Sequence, residues 1–484
     1  MSTLGQKPAT QHVSTEKQTI TGNGGTSYTL QQSVSQASDI EVFVNNTRQE
    51  PTVAYTANNT TLTMTGAVNA SDSFYVIFQG KAIQTAGLPV DAAITASTVT
   101  TSQTITSTGN ITTSGTVNTP SINGGQIGGR RNIIINGAMQ VFQRTSSATA
   151  AGTSYNTSDR FRANTGTDGA FTTEQSTDNP FGTGNSLKCQ VTTADTSLSA
   201  TQYAQIIQRI EAQDLQQLSY GTSSAKTLTL SFWVKSNKTG IYSIVLRKPD
   251  NTAYHFIHEY TISSANTWEK KVITITPTAG STSFITASAG AIDNDNGIGF
   301  ELSFGLGQGS NFAIGTSNTW SSNGNTFAST NQVNWMDNTS NNFYLTQVQL
   351  EVGNLTDFEH RSVAEELALC QRYFFQESTN ADDVGGIFGI ANGTVRIQIS
   401  HGMPVQMRAK PSLTLTSASI RVGDTVAQGV NTTSGTISAS GYTGTQRIGY
   451  SLGGFTGLNN YRTYLTEPRT SDSMIGIPKF NAEL

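Results

Sequence analysis

Apolar and polar residues alternate with a period of two along much of this chain, and that alternation predicts a series of short strands. Ile40, Val42 and Val44 alternate with Glu41, Phe43 and Asn45, after which Asn45 and Asn46 supply a turn. Leu62 and Met64 repeat the pattern, and the apolar run Phe74–Phe78 is long enough for a strand buried on both faces. From Arg130 onward, RRNIIINGAMQVFQR places Ile133 and Ile135 on one parity before a Gly-centred break. The clearest strand is TLTLSFWVKS, where Leu228, Leu230, Phe232 and Val234 share one face. Further strands are expected at 241–248, 268–277, 297–306 and 343–352, with turn signals between them, which suggests a jelly-roll-like β-sandwich.

One segment changes period. SVAEELALCQRYFF opens with Ser362 and Glu365 in capping-box spacing, and Val363, Leu367, Cys370 and Phe374 follow at helical intervals on one face. This helix is expected to lead into a second β unit with strands at 394–400, 412–422 and 435–442. Another segment has almost no chemistry at all. Residues 92–129 lack any charged or aromatic side chain, yet Val99, Ile105, Ile111 and Val117 recur every six positions, with Gly109 and Gly115 between them. A flexible Ser/Thr-rich linker is one reading. The other is a fibrous stalk in which three chains enclose the Ile/Val column, since one chain alone has too little to bury. The expected fold is therefore mostly β: a small N-terminal β domain (1–87), a short β-stalk (88–129), the sandwich (130–361), one connecting helix (362–375) and a C-terminal β domain (376–484), assembled as a trimeric fibre.

Composition supports this picture and removes several functions. Charged residues make up 12% of the 484 and the hydrophobic set 35%, but 21 Phe and 15 Tyr argue against disorder. Thr-, Ile- and Val-rich alternation suits extended structure with a Thr/Ser/Asn outer face. The net charge of −4, without a basic patch, speaks against nucleic-acid binding. No apolar run approaches the roughly 18 residues of a spanning helix, so membrane insertion is not expected. Cys189 and Cys370 stand in no metal-ligand spacing. The opening MSTLGQKPATQHVST has neither a basic nor an apolar export region, and an extracellular style of sequence without one suggests a virus particle released by lysis.

Several stretches carry a resemblance. ASDIEVFVNNTRQEP and YTANNTTLTMTGAVNASDSFYVIFQGKA, within 38–82, resemble the virion-anchoring domain of tail fibres in short-tailed phages. RRNIIINGAMQVFQR with NTSDRF (156–161) looks like the opening of a carbohydrate-binding-type sandwich of phage tail proteins, and residues 344–375 are similar to its closing strand and helix. PVQMRAKPSLTLTS (404–417) and KFNAEL (479–484) resemble the C-terminal domain of the same proteins. The resemblance implies a homotrimeric fibre of the virion tail, extracellular, docked to tail adaptor or nozzle proteins through residues 1–87 and meeting host surface polysaccharide distally.

Candidate chemistry is sparse. Glycoside hydrolysis needs two carboxylates astride one bond. Asp293 and Asp295, in AIDNDNGIG, are the pair to test, against the alternatives of an Asx turn or a calcium-binding loop. No other cofactor is expected. Glu365 and Glu366 read as a solvated first helical turn. His255 and His258 lie three apart in a strand-like context, so they point to opposite faces and share no metal. No nucleophile motif is present, and no enzyme activity is expected. Glycan binding is the better prospect, since sugars pair apolar C–H faces with hydroxyls. Trp233 and Trp268 sit in strand patterns and read as packed. Trp320 and Trp335 lie in loop-like polar sequence and are candidates for ligand contact, or else pin their own loops. Tyr442, Tyr450, Tyr461 and Tyr464, with Arg447 and Arg462, form a second candidate glycan surface or a tyrosine-rich trimer interface. The reading is a host-attachment adhesin with avidity from several weak sites; its rivals are a structural tail component without host contact and a polysaccharide depolymerase.

Overall fold

The computed structural model of the protein describes residues 16–79, 130–150, 152–376, 387–424, 429–441, 443–466 and 476–484. The predicted stalk lies outside the described residues. The chain divides into two compact units between residues 114 and 115.

In the first unit, a four-stranded sheet runs in the order Glu16–Thr19, Phe74–Phe78, Ile40–Val44, Thr47–Arg48, and Ser27–Val34 pairs with Tyr55–Met64. Asn45 and Asn46 both adopt positive φ, at 51° and 61°, as a two-residue hairpin turn requires. Tyr55 is fully buried and its hydroxyl donates to the Ile40 carbonyl at 2.7 Å. Phe74–Phe78 differs from expectation. Phe74, Val76 and Phe78 enter the core, whereas Tyr75 and Ile77 are half-buried on the far face, where Tyr75 stacks on Phe43 at 4.9 Å. The sheet has one face in the core, so a five-residue apolar run is divided between core and surface.

The second unit holds the sandwich. Its six-stranded sheet is ordered Glu269–Ile275, Leu228–Ser236, Asn342–Val352, Ser186–Thr193, Ala170–Ser176, Ser147–Thr149. Its seven-stranded sheet is ordered Thr319–Ser321, Tyr254–Ile262, Gly240–Lys248, Ile298–Gln308, Tyr203–Glu211, Phe161–Thr165, Thr153–Ser154. Between them lies one core, with Leu230, Phe232, Val234, Leu345 and Leu350 from one sheet and Ile244, Leu246, Leu302 and Phe304 from the other. The edge-to-face pair Phe232–Phe304, 5.1 Å apart, joins the two sheets.

A β-bulge shapes the outer face of the six-stranded sheet. Ser231 is opposite Gln349 but Trp233 is opposite Thr346, so the Asn342–Val352 strand carries one extra residue there. Gln347 sits in that bulge with φ 48°. The NIIING segment docks beside it: Ile133 and Leu350 are joined through backbone, and the Val348 N–H donates to the Gly137 carbonyl at 2.9 Å. Only glycine fits at 137, because a Cβ would stand 2.1 Å from the Val348 oxygen.

The helix spans Val363–Gln371, and the Ser362 hydroxyl accepts from the Glu365 N–H as the capping motif predicts. Its faces are not as expected. Val363 is 60% exposed, Glu366 is buried and accepts from the Asn136 N–H at 2.6 Å, and Phe374 opens the strand Phe374–Gln376. The helix thus lies on the sandwich through a carboxylate and Cys370 rather than through an apolar stripe.

The C-terminal lobe has its own core, including Ile397, Ile399, Ile448, Tyr450, Leu452 and Phe480, enclosed by a seven-stranded and a three-stranded sheet. In the latter, Pro478–Asn481 pairs on one side with Phe374–Gln376 and on the other with Ser412–Leu415. The run expected at 412–422 is broken at 416–419, with Ile420–Gly423 joining the larger sheet. Beyond Asn481 the chain returns to the sandwich. Glu483 pairs with Arg144 at 3.0 Å and with Arg160, and Arg144 also binds Asp159 at 2.7 Å. The Arg160 guanidinium lies 3.4 Å from the Tyr373 ring centre. Burial pushes the Asp159 carboxyl up to about 6 despite the neighbouring Arg144.

Candidate functional site

Strand parity builds the site. Because Leu228, Leu230, Phe232 and Val234 fill the core, Ser231, Trp233 and Lys235 must face outward. Trp233 lies between Lys270 and Thr346 on the flanking strands. Lys235 is beside Tyr344, Tyr344 beside Lys188, and Lys188 beside Glu174, so one polar row crosses four strands.

Two loops fold over this face. In 177–185, the Asp178 carboxylate accepts from the Trp268 indole N–H at 3.0 Å and from the Lys235 ammonium. The same loop sets Phe181, 52% exposed, edge-on to Trp233 at 5.4 Å. In 353–361, Glu351 accepts from the Thr356 N–H at 2.9 Å and from its hydroxyl at 2.6 Å. Gln349 donates to the Asp357 carbonyl and accepts from the Glu359 N–H at 2.7 Å. These bonds hold Asp357, Phe358 and His360 above the sheet. The result is an open groove of about 470 Å³ lined by Phe181, Thr183, Ser231, Trp233, Lys270, Gln347, Asp357, Phe358 and His360. A narrow extension of about 60 Å³ continues past Phe181 and Thr183 toward Gln140, Asn179 and Asn185.

Electrostatics stiffen the rim. Burial opposes ionisation of Asp178, but hydrogen bonds from Lys235 and Trp268 outweigh it and hold the carboxyl below its ordinary value. Burial raises the Tyr344 phenol, while the Lys188 ammonium is raised by its hydrogen bond to Glu174. Three aromatic rings with Ser, Thr, Gln, Asp, Lys and His groups in an open groove can stack on sugar C–H faces and hydrogen-bond hydroxyls.

The residues singled out from sequence are placed otherwise. Trp233 and Trp268 are half-exposed, not packed: the Trp233 ring lies on the face of its strand away from the core, beside Ser231 and Lys235, and Trp268 immediately precedes the strand Glu269–Ile275. Trp320 and Trp335 are buried. The Trp320 indole donates to the Thr276 carbonyl at 2.9 Å and the Trp335 indole to the Asn342 carbonyl at 3.0 Å. Trp320 belongs to the short edge strand Thr319–Ser321 and Trp335 to a single helical turn, each ring pins its segment to the core, and neither can reach a ligand. Tyr450 packs edge-on to Phe480 inside the C-terminal lobe, and Tyr464 is buried with its hydroxyl accepting from the Asn459 N–H. Arg462 pairs with Asp424 at 2.9 Å. Tyr461, 83% exposed, and Arg447 remain at the surface. Tyr442 lies outside the described residues. The expected tyrosine surface is therefore split between core and solvent.

Asp295 accepts from the Gly297 N–H at 2.8 Å in an Asx turn, and Asp293 accepts from the Asn251 amide at 3.2 Å. Nearby, the buried Lys248 ammonium donates to the carbonyls of Asp250, Ala289 and Ala291, and burial draws it down to about 8. Among the described residues no group of three or more His, Cys, Asp or Glu is placed to hold a metal ion. The signal for the groove was present in TLTLSFWVKS, where Trp233 has the opposite parity to the core residues.

No protein-family model matches the chain, and no curated protein matches it in sequence. Among solved structures, it is similar to the family 11 carbohydrate-binding module of Clostridium thermocellum, in complex with a β-1,3-1,4-mixed-linked tetrasaccharide, at 15% identity over 42% of this chain and 91% of that one, with a TM-score of 0.22. It is also similar to the N-terminal CBM22 tandem domain of Paenibacillus barcinonensis Xyn10C, at 9% identity over 74% of this chain and 92% of that one, with a TM-score of 0.22. A third likeness is to the enzymatically active domain of tailspike protein 4 of bacteriophage CBA120, at 13% identity, with 46% of this chain, 21% of that one and a TM-score of 0.21. At these scores the likenesses carry no assignment of ligand or activity.

Proposed function

We propose that this chain is a non-enzymatic adhesin of a phage tail fibre, which binds host surface glycan through the groove above Trp233. The observation that carries the reading is the groove itself: Phe181, Trp233 and Phe358 present aromatic surface beside Ser231, Gln347, Asp357 and Lys270 on an otherwise polar sheet face. Binding is favoured over hydrolysis by the lining, in which Asp357 is the one carboxylate among the described residues where a glycosidase needs two. Attachment to the tail through residues 1–87, and assembly as a trimer, rest on the sequence resemblance and on the six-residue period of the stalk. Three copies would present three grooves, so weak sites gain avidity on a repetitive surface.

The test is binding of the full chain to an array of bacterial surface polysaccharides, alongside Trp233→Ala. Retention of wild-type protein with loss by the variant is the expected result. Equal binding by both would remove the groove from the reading, and failure of the wild type on every polysaccharide would favour a structural tail component. Release of reducing ends would turn the reading to a depolymerase. Mass measurement in solution checks assembly, because a 51.4 kDa species would exclude the trimer.

A further inference from the structure

A second cleft, of about 320 Å³, opens where the three-stranded sheet meets the sandwich. That sheet has two unlike faces. Phe375, Leu413 and Phe480 turn to the core of the C-terminal lobe. Phe374, Asn481 and Ser412 align on the other face, followed by Lys479 and Thr414 in the next row. Across the cleft stand Arg144, Tyr155 and Asn156 of the sandwich.

The charges in this cleft do not balance. Arg144 and Arg160 are matched by Asp159 and Glu483, all four being buried in mutual ion pairs. Lys479 is left over. It is half-buried, and its ammonium forms no hydrogen bond or ion pair among the described residues. Burial and the nearby Arg144 both lower the affinity of its amine for a proton, and no carboxylate offsets them. A cation so placed costs stability unless something anionic meets it. Beside it, Ser412 and Thr414 are exposed, and the Arg144 guanidinium carbon lies over the Phe374 ring, 3.7 Å from its centre. The volume falls at the lower end of the roughly 300–1,000 Å³ typical of small-ligand pockets.

We infer that this cleft is a second glycan subsite, which takes the carboxylate of an acidic sugar on the Lys479 ammonium and its ring hydroxyls on Ser412 and Thr414. It is separate from the groove above Trp233, so one chain reads a neutral stretch and an acidic residue of a surface polymer at two places.

The experiment titrates the full chain at low salt with sodium glucuronate, using glucose as the uncharged control. Glucuronate is expected to bind about tenfold more tightly than glucose, the value of one charge-assisted hydrogen bond. Lys479→Gln removes that preference, Lys479→Arg retains it, and Trp233→Ala leaves it unchanged. No preference in the wild type, or a preference that survives Lys479→Gln, overturns the inference. Displacement of glucuronate by an equal concentration of inorganic phosphate also overturns it, since the cleft would then take any anion. A preference lost in Trp233→Ala but kept in Lys479→Gln would assign the acidic sugar to the groove, leaving the proposed function standing and this inference not. A Lys479-dependent preference in a protein that binds no neutral polysaccharide would do the reverse.

Discussion

The strand around Trp233 and the polar segment that holds Trp320, in the edge strand Thr319–Ser321, and Trp335 make opposite use of the same side chain. Trp233 stands in a strand whose alternate residues fill the core, so its ring has nowhere to go but the outer face. Trp320 and Trp335 stand in polar, Asn-rich sequence, yet each turns inward and anchors its surroundings through the indole N–H. Polar sequence around an aromatic therefore marks a loop that needs an anchor as readily as a binding surface. An aromatic of the wrong parity in an apolar strand is the better sign, because the sheet itself holds it rigid and exposed.

Substitution separates the two uses. Trp335→Ala, or Trp320→Ala, is expected to destabilise the sandwich by about 3–5 kcal/mol, read as a lower midpoint in chemical unfolding. Binding would be lost only together with the fold. Trp233→Ala is expected to act the other way, weakening glycan binding by about 2 kcal/mol while the unfolding midpoint moves much less. If the two variants shifted stability equally, the contrast would collapse. Asp178→Asn tests the support of the groove. It removes the charge that holds Lys235 while leaving an acceptor for Trp268, and a loss of about 1 kcal/mol in binding is expected.

Acid probes the same contact without mutation. The Asp178 carboxyl is held below its ordinary value, so its contribution is fully present above about pH 4 and is lost as pH falls through the lowered value. Tryptophan fluorescence of Trp233→Phe, which keeps Trp268, is expected to be flat down to about pH 4 and to change below it. Smallest of all, Tyr461→Ala should alter stability by less than about 0.5 kcal/mol and leave glycan binding unchanged, because the ring touches solvent. A large binding loss there would move the site to the C-terminal lobe.

Much of the fold was legible from period alone. The strands Leu228–Ser236, Gly240–Lys248 and Asn342–Val352 and the capped helix follow from residues that alternate or recur, because burial on one face writes itself into sequence. What escaped was decided by partners far along the chain. Glu366 is buried because Asn136 and Arg361 meet it, a contact that the helix sequence cannot announce. Phe374 leaves the helix because Asn481 waits to pair with it. The groove was half legible: parity exposes Trp233, but Phe181 and Phe358 arrive on loops held by Asp178, Gln349 and Glu351, whose roles depend on tertiary contacts.

The three-stranded sheet ties the C-terminal lobe to the sandwich at both ends of its sequence. The chain enters through Phe374–Gln376 and leaves through Pro478–Asn481, and these two strands are hydrogen-bonded neighbours. The lobe is thus a closed loop rather than a pendant. A single proteolytic cut within the lobe is expected to leave Pro478–Asn481 paired with Phe374–Gln376 and Glu483 seated between Arg144 and Arg160. Expressing the chain only as far as residue 376, by contrast, takes Glu483 away from the buried Arg160 and leaves Arg144 with Asp159 alone. The doubled tether predicts that a nick in the lobe is tolerated and a truncation is not, which limited proteolysis followed by gel filtration would check.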